Sequence, residues 1–164
     1  MSFRDTALSI LEHLVGFDTT SHLSNLALIE WVERYLAPYP VRIHRLENAE
    51  EMKACLLVHI GPDAKGGIAF SGHSDVVPVA GQAWNTDPFA LYRQDDRAFG
   101  RGTTDMKGFI ACCLAMVPHW CSQKLTKPIY LLISYNEEVG CLAAAQIADG
   151  VRLQGWTPDF MVIG

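Results

Sequence analysis

The chain has 164 residues, 49% of them hydrophobic, which is enough for one ordinary domain with a buried core and excludes a disordered protein. Its 13 basic and 18 acidic residues give a net charge of -5, and without a basic stripe no nucleic-acid partner is expected. No segment is long and apolar enough for a bilayer, and residues 1–5 do not start a signal peptide. We therefore expect no membrane partner and a cytoplasmic location.

The cysteines indicate neither a disulfide framework nor a thiolate metal site. They are an odd number without any C-x-x-C spacing, at Cys55, Cys112, Cys113, Cys121 and Cys141. We interpret them as buried free thiols in a reducing compartment. Cys112 and Cys113 are adjacent, so on a helix they would point in different directions and could not bind one ion together.

Two helices are predicted at the start of the chain. Apolar residues recur at helical spacing over residues 3–17 and again over residues 25–36, where Pro38 ends the pattern. His13 and His22 lie on or beside these helices. We interpret both as surface or packing residues rather than ligands.

The middle of the chain changes to a strand period. Alternating residues predict a hairpin of strands 41–46 and 54–60, followed by a short interior strand over 67–71. Residues 76–98 predict a long loop with little regular structure, a kind of loop that is usually functional. A nearly all-apolar, buried helix is predicted from Met106 to Pro118.

The last third adds two strands and a helix. An interior strand is predicted over residues 129–134, a small-residue helix over 139–148 and a final strand over 159–164. Strands alternating with helices predict an α/β domain with a largely parallel sheet and a hairpin near its start, and we find no internal repeat or linker.

Three runs place acidic or imidazole groups directly after predicted strands or turns. They are residues 71–75 (Ser-Gly-His-Ser-Asp), 100–108 (Gly-Arg-Gly-Thr-Thr-Asp-Met-Lys-Gly) and 134–140 (Ser-Tyr-Asn-Glu-Glu-Val-Gly). An α/β sheet presents its ligands at such strand ends. A histidine, a lone aspartate and a glutamate pair predict a metal site that activates water.

Two of these motifs have simpler explanations when taken alone. His73 at a strand end, two residues before Asp75, is more often merely hydrogen-bonded there than bound to a metal. Asp105 precedes a helix and could be its N-cap. Glu137 and Glu138 are harder to explain, because two adjacent carboxylates after a buried strand repel each other unless a cation lies nearby.

Taken together, the runs 72–78, 84–89, 100–108 and 136–140 resemble those of the di-zinc aminoacylase and carboxypeptidase G family of amidohydrolases. The resemblance extends over essentially the whole chain. It implies a three-layer α/β/α catalytic domain of the zinc exopeptidase type, with a mixed, largely parallel sheet. It also implies two zinc ions, for which cobalt could substitute, a small-molecule N-acyl amino acid substrate, and a homodimer for the full-length protein.

The resemblance also implies a role for each candidate residue. His73 would bind one zinc ion, and Asp75 would orient the His73 ring. Asp105 would bridge both ions, and Glu138 would bind the second. Glu137 would be the general base that deprotonates the water. The family further implies a cis peptide bond directly after the bridging aspartate.

The chain departs from the family pattern in two ways. Asn136 stands where an aspartate commonly precedes the glutamate pair, which should tune the local charge without abolishing the site. The chain also lacks the acidic ligand that follows the last strand in the family, the distal histidine ligand and the dimerisation domain. Residues 1–164 are therefore expected to be the N-terminal part of a truncated catalytic domain, exposing apolar surface that favours self-association.

These departures set the functional expectation. Each zinc ion would keep two of its three expected protein ligands, so we expect weak metal binding and negligible turnover by the chain alone. The full-length protein is expected to hydrolyse the amide bond of an N-acyl amino acid. The alternatives are a desuccinylase, aminoacylase or carboxypeptidase of the same family, or a non-catalytic α/β fragment.

Overall fold

The structure is a computed structural model that describes residues 2–164. Its helices are α1 (Phe3–Val15), α2 (Leu26–Leu36), α3 (Lys107–Ser122) and α4 (Ala144–Leu153). Its strands are β1 (Val41–Asn48), β2 (Lys53–Ile60), β3 (Ile68–His73), β4 (Tyr92–Gln94), β5 (Arg97–Phe99), β6 (Ile129–Ser134) and β7 (Phe160–Ile163). Within the described residues, no helix has the length and apolar character needed to cross a membrane.

The central sheet has five strands in the order β1-β2-β6-β3-β7. β2 is antiparallel to both of its neighbours, whereas β3 is parallel to β6 and to β7. Four strands therefore run in one direction and only β2 opposes them. This confirms the mixed, largely parallel sheet.

Helices cover both faces of this sheet. All eight residues of β2 are buried, and they alternate between the two faces. Leu56 and Val58 pack in one apolar cluster with α1, α2 and α3, whereas Cys55 and Leu57 pack in a second cluster with α4 and Trp156. The two clusters are the interiors of a three-layer α/β/α sandwich, as predicted.

The predicted loop over residues 76–98 is wrong at its C-terminal end. β4 and β5 form a small antiparallel hairpin there, joined by Asp95 and Asp96. Both residues have positive φ angles, 49° and 60°, as a two-residue hairpin turn with the sheet's twist requires. Asp tolerates this conformation, but the pair lacks the glycine that usually marks such a turn in a sequence.

Two of the predicted helices also have wrong bounds. α3 continues through Pro118 to Ser122 because the carbonyl that Pro118 cannot bond, that of Leu114, accepts a hydrogen bond from the Tyr35 hydroxyl at 3.2 Å. The last helix spans Ala144–Leu153 rather than residues 139–148. It begins later because Cys141 has a φ of 55° and the preceding residues form a turn, and it continues through the buried Gly150 to Leu153.

The cysteines are less buried than predicted. All five are free, but of these only Cys55 is buried, while Cys112 and Cys141 are exposed and Cys113 and Cys121 are half-buried. The interpretation as buried thiols was wrong for the exposed pair because α3 turns Cys112 to solvent, and Cys141 lies in the turn before α4.

These differences predict the order in which the thiols react. Burial raises the pKa of the Cys55 thiol to about 12, so it has almost no thiolate at neutral pH. With a chromogenic disulfide reagent at pH 8, we expect Cys112 and Cys141 to react first and Cys55 only on unfolding. Mass spectrometry after partial labelling identifies the modified residues. Early labelling of Cys55 in the folded chain would contradict the fold.

The edge strand β7 is apolar and open. Its residues Phe160, Met161, Val162 and Ile163 are 72%, 48%, 40% and 73% exposed, and β7 pairs with β3 along one edge only. The strand carries no charged residue or proline, the usual devices that prevent such an edge from pairing with another chain.

We therefore predict that the chain self-associates through β7. In sedimentation velocity, the average mass of the wild-type chain should rise with concentration, and Val162→Lys should shift it back toward 18.2 kDa. Met52→Lys is the matched control, because Met52 is 62% exposed and lies in the turn between β1 and β2. A concentration-independent monomer, or equal effects of both substitutions, would refute the prediction.

Candidate metal centre

His73 is the last residue of β3, and its ring points at two carboxylates. Its Nδ1 lies 3.0 Å from the Asp75 carbonyl oxygen, to which it donates. Its Nε2 lies 3.0 Å from Asp105 Oδ1 and 3.7 Å from Glu137 Oε2. Gly72 lets α3 pack closely here, since a Cβ at that position would lie 3.2 Å from Ile110 Cγ1 of that helix. His73 is only 5% exposed, so this orientation is fixed by its surroundings.

Asp105 lies in the turn that leads into α3. The N-cap of α3 is Met106, and no side chain caps the helix. The Asp105 carboxylate instead points at His73 and is 70% exposed, which removes the simple capping explanation. The peptide bond between Asp105 and Met106 is cis, as the family resemblance implied.

Glu137 and Glu138 follow β6 after a sharp change of chain direction. Asn136, directly before them, has a φ of 57°, in the left-handed region. One ligand atom each from His73, Glu137 and Glu138 lies within 4.8 Å of the others. The structure thus brings together the histidine, the lone aspartate and the glutamate pair that the three sequence motifs supplied.

Asp75 connects the histidine motif to the glutamate motif through its carboxylate. Its buried carboxylate accepts hydrogen bonds from the Glu137 amide at 3.1 Å, the Glu138 amide at 3.3 Å and the Ser21 hydroxyl at 2.7 Å. The same carboxylate lies 3.4 Å from His73 Nδ1. Asp75 is therefore placed to orient the glutamate turn as well as the histidine.

The charges of the centre shift the pKa values of its members. Burial alone would lower the pKa of His73, but Asp75 and Asp105 outweigh it and raise that pKa to about 9. Burial also opposes ionisation of Asp75, yet its hydrogen bonds, first from His73, lower its pKa. Burial, and then the negative charge of Asp105, raise the pKa of Glu138. The centre is thus a concentration of negative charge that favours a cation.

These residues fit a divalent metal ion such as zinc. An imidazole nitrogen and carboxylate oxygens are its usual protein ligands. Because Nδ1 donates to the Asp75 carbonyl, Nε2 is the ring nitrogen that could exchange its proton for a metal ion, and it faces the carboxylates. A cation between Nε2 and the carboxylates would relieve their mutual repulsion in the way that a proton on Nε2 does.

Sequence reasoning missed the residues that support the centre from a distance. Neither Ser21 nor Lys53 lies in a motif that the sequence singles out. The Thr19 hydroxyl donates to the Ser74 carbonyl at 2.6 Å, which ties the segment after α1 to the end of β3. No local pattern marks the contacts of Thr19 and Ser21, which join residues more than 50 positions apart.

A cavity of about 670 Å³ opens beside the centre. His73, Asp105 and Glu137 line one end, and the rest is mostly apolar, with Ile147 of α4 and Met161 of β7 among its walls. Its size suits a small molecule. The donors therefore face a space in which a substrate could lie.

Comparison with known proteins identifies relatives of this chain. A sequence profile described as peptidase family M20/M25/M40 matches residues 69–164. An acetylornithine deacetylase from Buchnera aphidicola subsp. Schizaphis graminum is 33% identical over 165 residues, covering 96% of this chain and 42% of the relative. One from Yersinia pseudotuberculosis serotype O:1b is 36% identical over 164 residues, covering 96% and 41%. The chain thus spans about two fifths of the length of these relatives.

Solved structures show the same fold. Human carnosine dipeptidase 1 superposes with a TM-score of 0.81 at 24% identity, covering 98% of this chain and 38% of that protein. The M20 family metallo-carboxypeptidase Sso-CP2 from Sulfolobus solfataricus gives a TM-score of 0.74 at 22% identity, covering 96% and 36%. With the match of the profile to more than half of its residues, the chain belongs to the peptidase family M20/M25/M40.

Proposed function

We propose that the full-length protein is a zinc-dependent hydrolase that removes the acyl group from an N-acyl amino acid, with N-acetylornithine as the preferred substrate. The observation that carries this proposal is the convergence of His73, Asp105, Glu137 and Glu138 at one end of a small-molecule cavity. Relatives named acetylornithine deacetylase support the choice of substrate. Such a protein would serve arginine biosynthesis in the cytoplasm.

Each residue has a proposed task. His73 and Glu138 would each hold one of two zinc ions, Asp105 would bridge them, and the hydrogen bonds of Asp75 would fix the histidine ring and the glutamate turn. When bound, the metal supplies Lewis acidity toward the amide carbonyl and lowers the pKa of water. Glu137, 44% exposed at the cavity, would take the proton from the water and deliver it to the leaving amine.

The proposal distinguishes the whole protein from this chain alone. The relatives are more than twice as long, and further ligands and substrate contacts are expected in the part that this chain does not span. We propose weak metal binding and negligible turnover for residues 1–164 by themselves. The dimer and the dimerisation domain likewise belong to the proposal for the full-length protein.

The metal site can be tested in this chain directly. In calorimetric titrations with zinc, His73→Ala and Asp105→Asn should each lower the affinity by about a hundredfold or more, since even the loss of a supporting residue costs about 10–100-fold. His119→Ala and Asp63→Asn are matched controls on exposed sites, and they should leave zinc binding unchanged. Equal binding by the wild type and both site variants would refute the site.

The substrate can be tested by complementation. The chain would be co-expressed with the C-terminal three fifths of the Yersinia relative, and hydrolysis of N-acetylornithine compared with that of N-succinyl-diaminopimelate. We expect acetylornithine to react faster, and Glu137→Gln to lower kcat by about 10²–10⁴-fold because the general base is lost.

Two results would contradict the proposal in different ways. Faster hydrolysis of the succinylated substrate would favour a desuccinylase. Absence of activity despite a stable complex would favour the non-catalytic fragment. Matched co-expression with Asp63→Asn shows whether the effect of a substitution is specific to the site.

A further inference from the structure

Lys53, the first residue of β2, has a buried ammonium group near the candidate metal centre. The residue is 5% exposed, and its Nζ donates to the Ser21 carbonyl and to Asn136 Oδ1, both at 2.6 Å. Glu51 Oε2 lies 3.4 Å away, and the Tyr135 ring lies 5.7 Å from Nζ. Lysine is almost never buried unless it is paired, so these partners account for its position.

Both hydrogen-bond acceptors of Lys53 lead into the centre. The Ser21 hydroxyl donates to Asp75, and Asp75 in turn accepts the amides of Glu137 and Glu138. Asn136, the other acceptor, is the residue directly before those two glutamates. Lys53 therefore closes a ring of hydrogen bonds that holds the glutamate turn from both sides.

Asn136 is matched to this environment. It is 4% exposed, and while Oδ1 accepts from Lys53, its Nδ2 donates to Glu51 Oε2 at 2.7 Å. A side-chain amide can accept from a lysine and donate to a carboxylate at once, which a carboxylate in its place could not do. Because both Oδ1 and Nδ2 are hydrogen-bonded, Asn136 keeps the φ of 57° that directs the following glutamates toward His73.

From this geometry we infer that Lys53, Asn136 and Glu51 form a positioning triad that sets the spacing of the glutamate pair around the metal. None of the three belongs to the cluster of His73 and the glutamates, so the triad acts through Asp75 and the turn. The inference rests on the proposed metal site and goes beyond it, because it assigns a role to a charge that hydrolysis does not use.

The first test measures the turn without metal. In amide hydrogen exchange of the full chain, Lys53→Met should speed exchange of the Glu137 and Glu138 amides by about tenfold or more, because the ring around Asp75 opens. The amide of Leu131, in the middle of β6, should not change. Lys127→Met is the matched control, since Lys127 forms its ion pair with Asp159 at the surface. Unchanged exchange at the two glutamates would overturn the inference.

The second test swaps the side-chain carboxylate and amide between positions 51 and 136. Asn136→Asp places a carboxylate against Glu51 and should weaken zinc binding by about 10–100-fold. Glu51→Gln alone should change it little. The double variant should bind nearly as well as the wild type, because the side-chain amide introduced at position 51 can donate to the new carboxylate while Lys53 still donates to it. A double variant no better than Asn136→Asp would overturn the triad.

The two tests separate the ways in which the inference could fail. If the wild-type chain binds no zinc, the proposed zinc binding by residues 1–164 fails, and the hydrogen exchange of Glu137 and Glu138 still decides whether the triad positions the turn. If circular dichroism shows that Lys53→Met does not fold, the zinc affinities of the single and double variants at positions 51 and 136 test the triad instead. A lower melting temperature with unchanged exchange and zinc affinity would overturn the positioning role and leave a merely stabilising lysine.

Discussion

The rest of the centre depends on the hydrogen bonds that the buried carboxylate of Asp75 accepts. It accepts three hydrogen bonds, two of them from the consecutive amides of Glu137 and Glu138, and lies within 3.4 Å of the His73 ring. Leaving such a charge buried without these donors would be costly. The end of β3 and the turn after β6 are therefore held together by the same group that keeps the histidine in place.

The sheet makes this arrangement possible. β3 and β6 are parallel, and His73 is in register with Ser134, so both strands deliver their following residues to the same edge. Asp105 arrives at that edge because α3 starts there after the glycine-rich turn. The chemistry of the site is thus set by strand order, and the supporting contacts refine the positions of the side chains.

The sequence was most informative where a local pattern carries the structure. Strand periods located β2 and β6, and each residue of the candidate centre was singled out because a charged or imidazole group follows an apolar strand or precedes a helix. Ser21 could not be found in this way, because its role comes from Asp75, which lies 54 positions along the chain. The same limit applies to Lys53 and Asn136, which are 83 positions apart.

The wrong predictions of the α3 end, the loop and the cysteine burial have similar causes. Pro118 ends a helix by local rules, but the Tyr35 hydroxyl supplies the missing donor to Leu114 from a different helix. Asp95 and Asp96 adopt a turn for which the usual glycine signal is lacking. The exposure of Cys112 depends on which face of α3 meets α1 and the sheet, and a helix that is apolar on nearly every side does not reveal that face.

The most direct measurement of the central claim is anomalous diffraction at the zinc absorption edge from crystals of this chain grown with zinc. We expect a peak about 2.0–2.2 Å from His73 Nε2 and from a carboxylate oxygen of Asp105, with Glu137 and Glu138 close by. A peak confined to other residues, such as Cys141 or the surface histidines, would contradict the claim. So would full zinc occupancy with His73 still paired directly to Asp105.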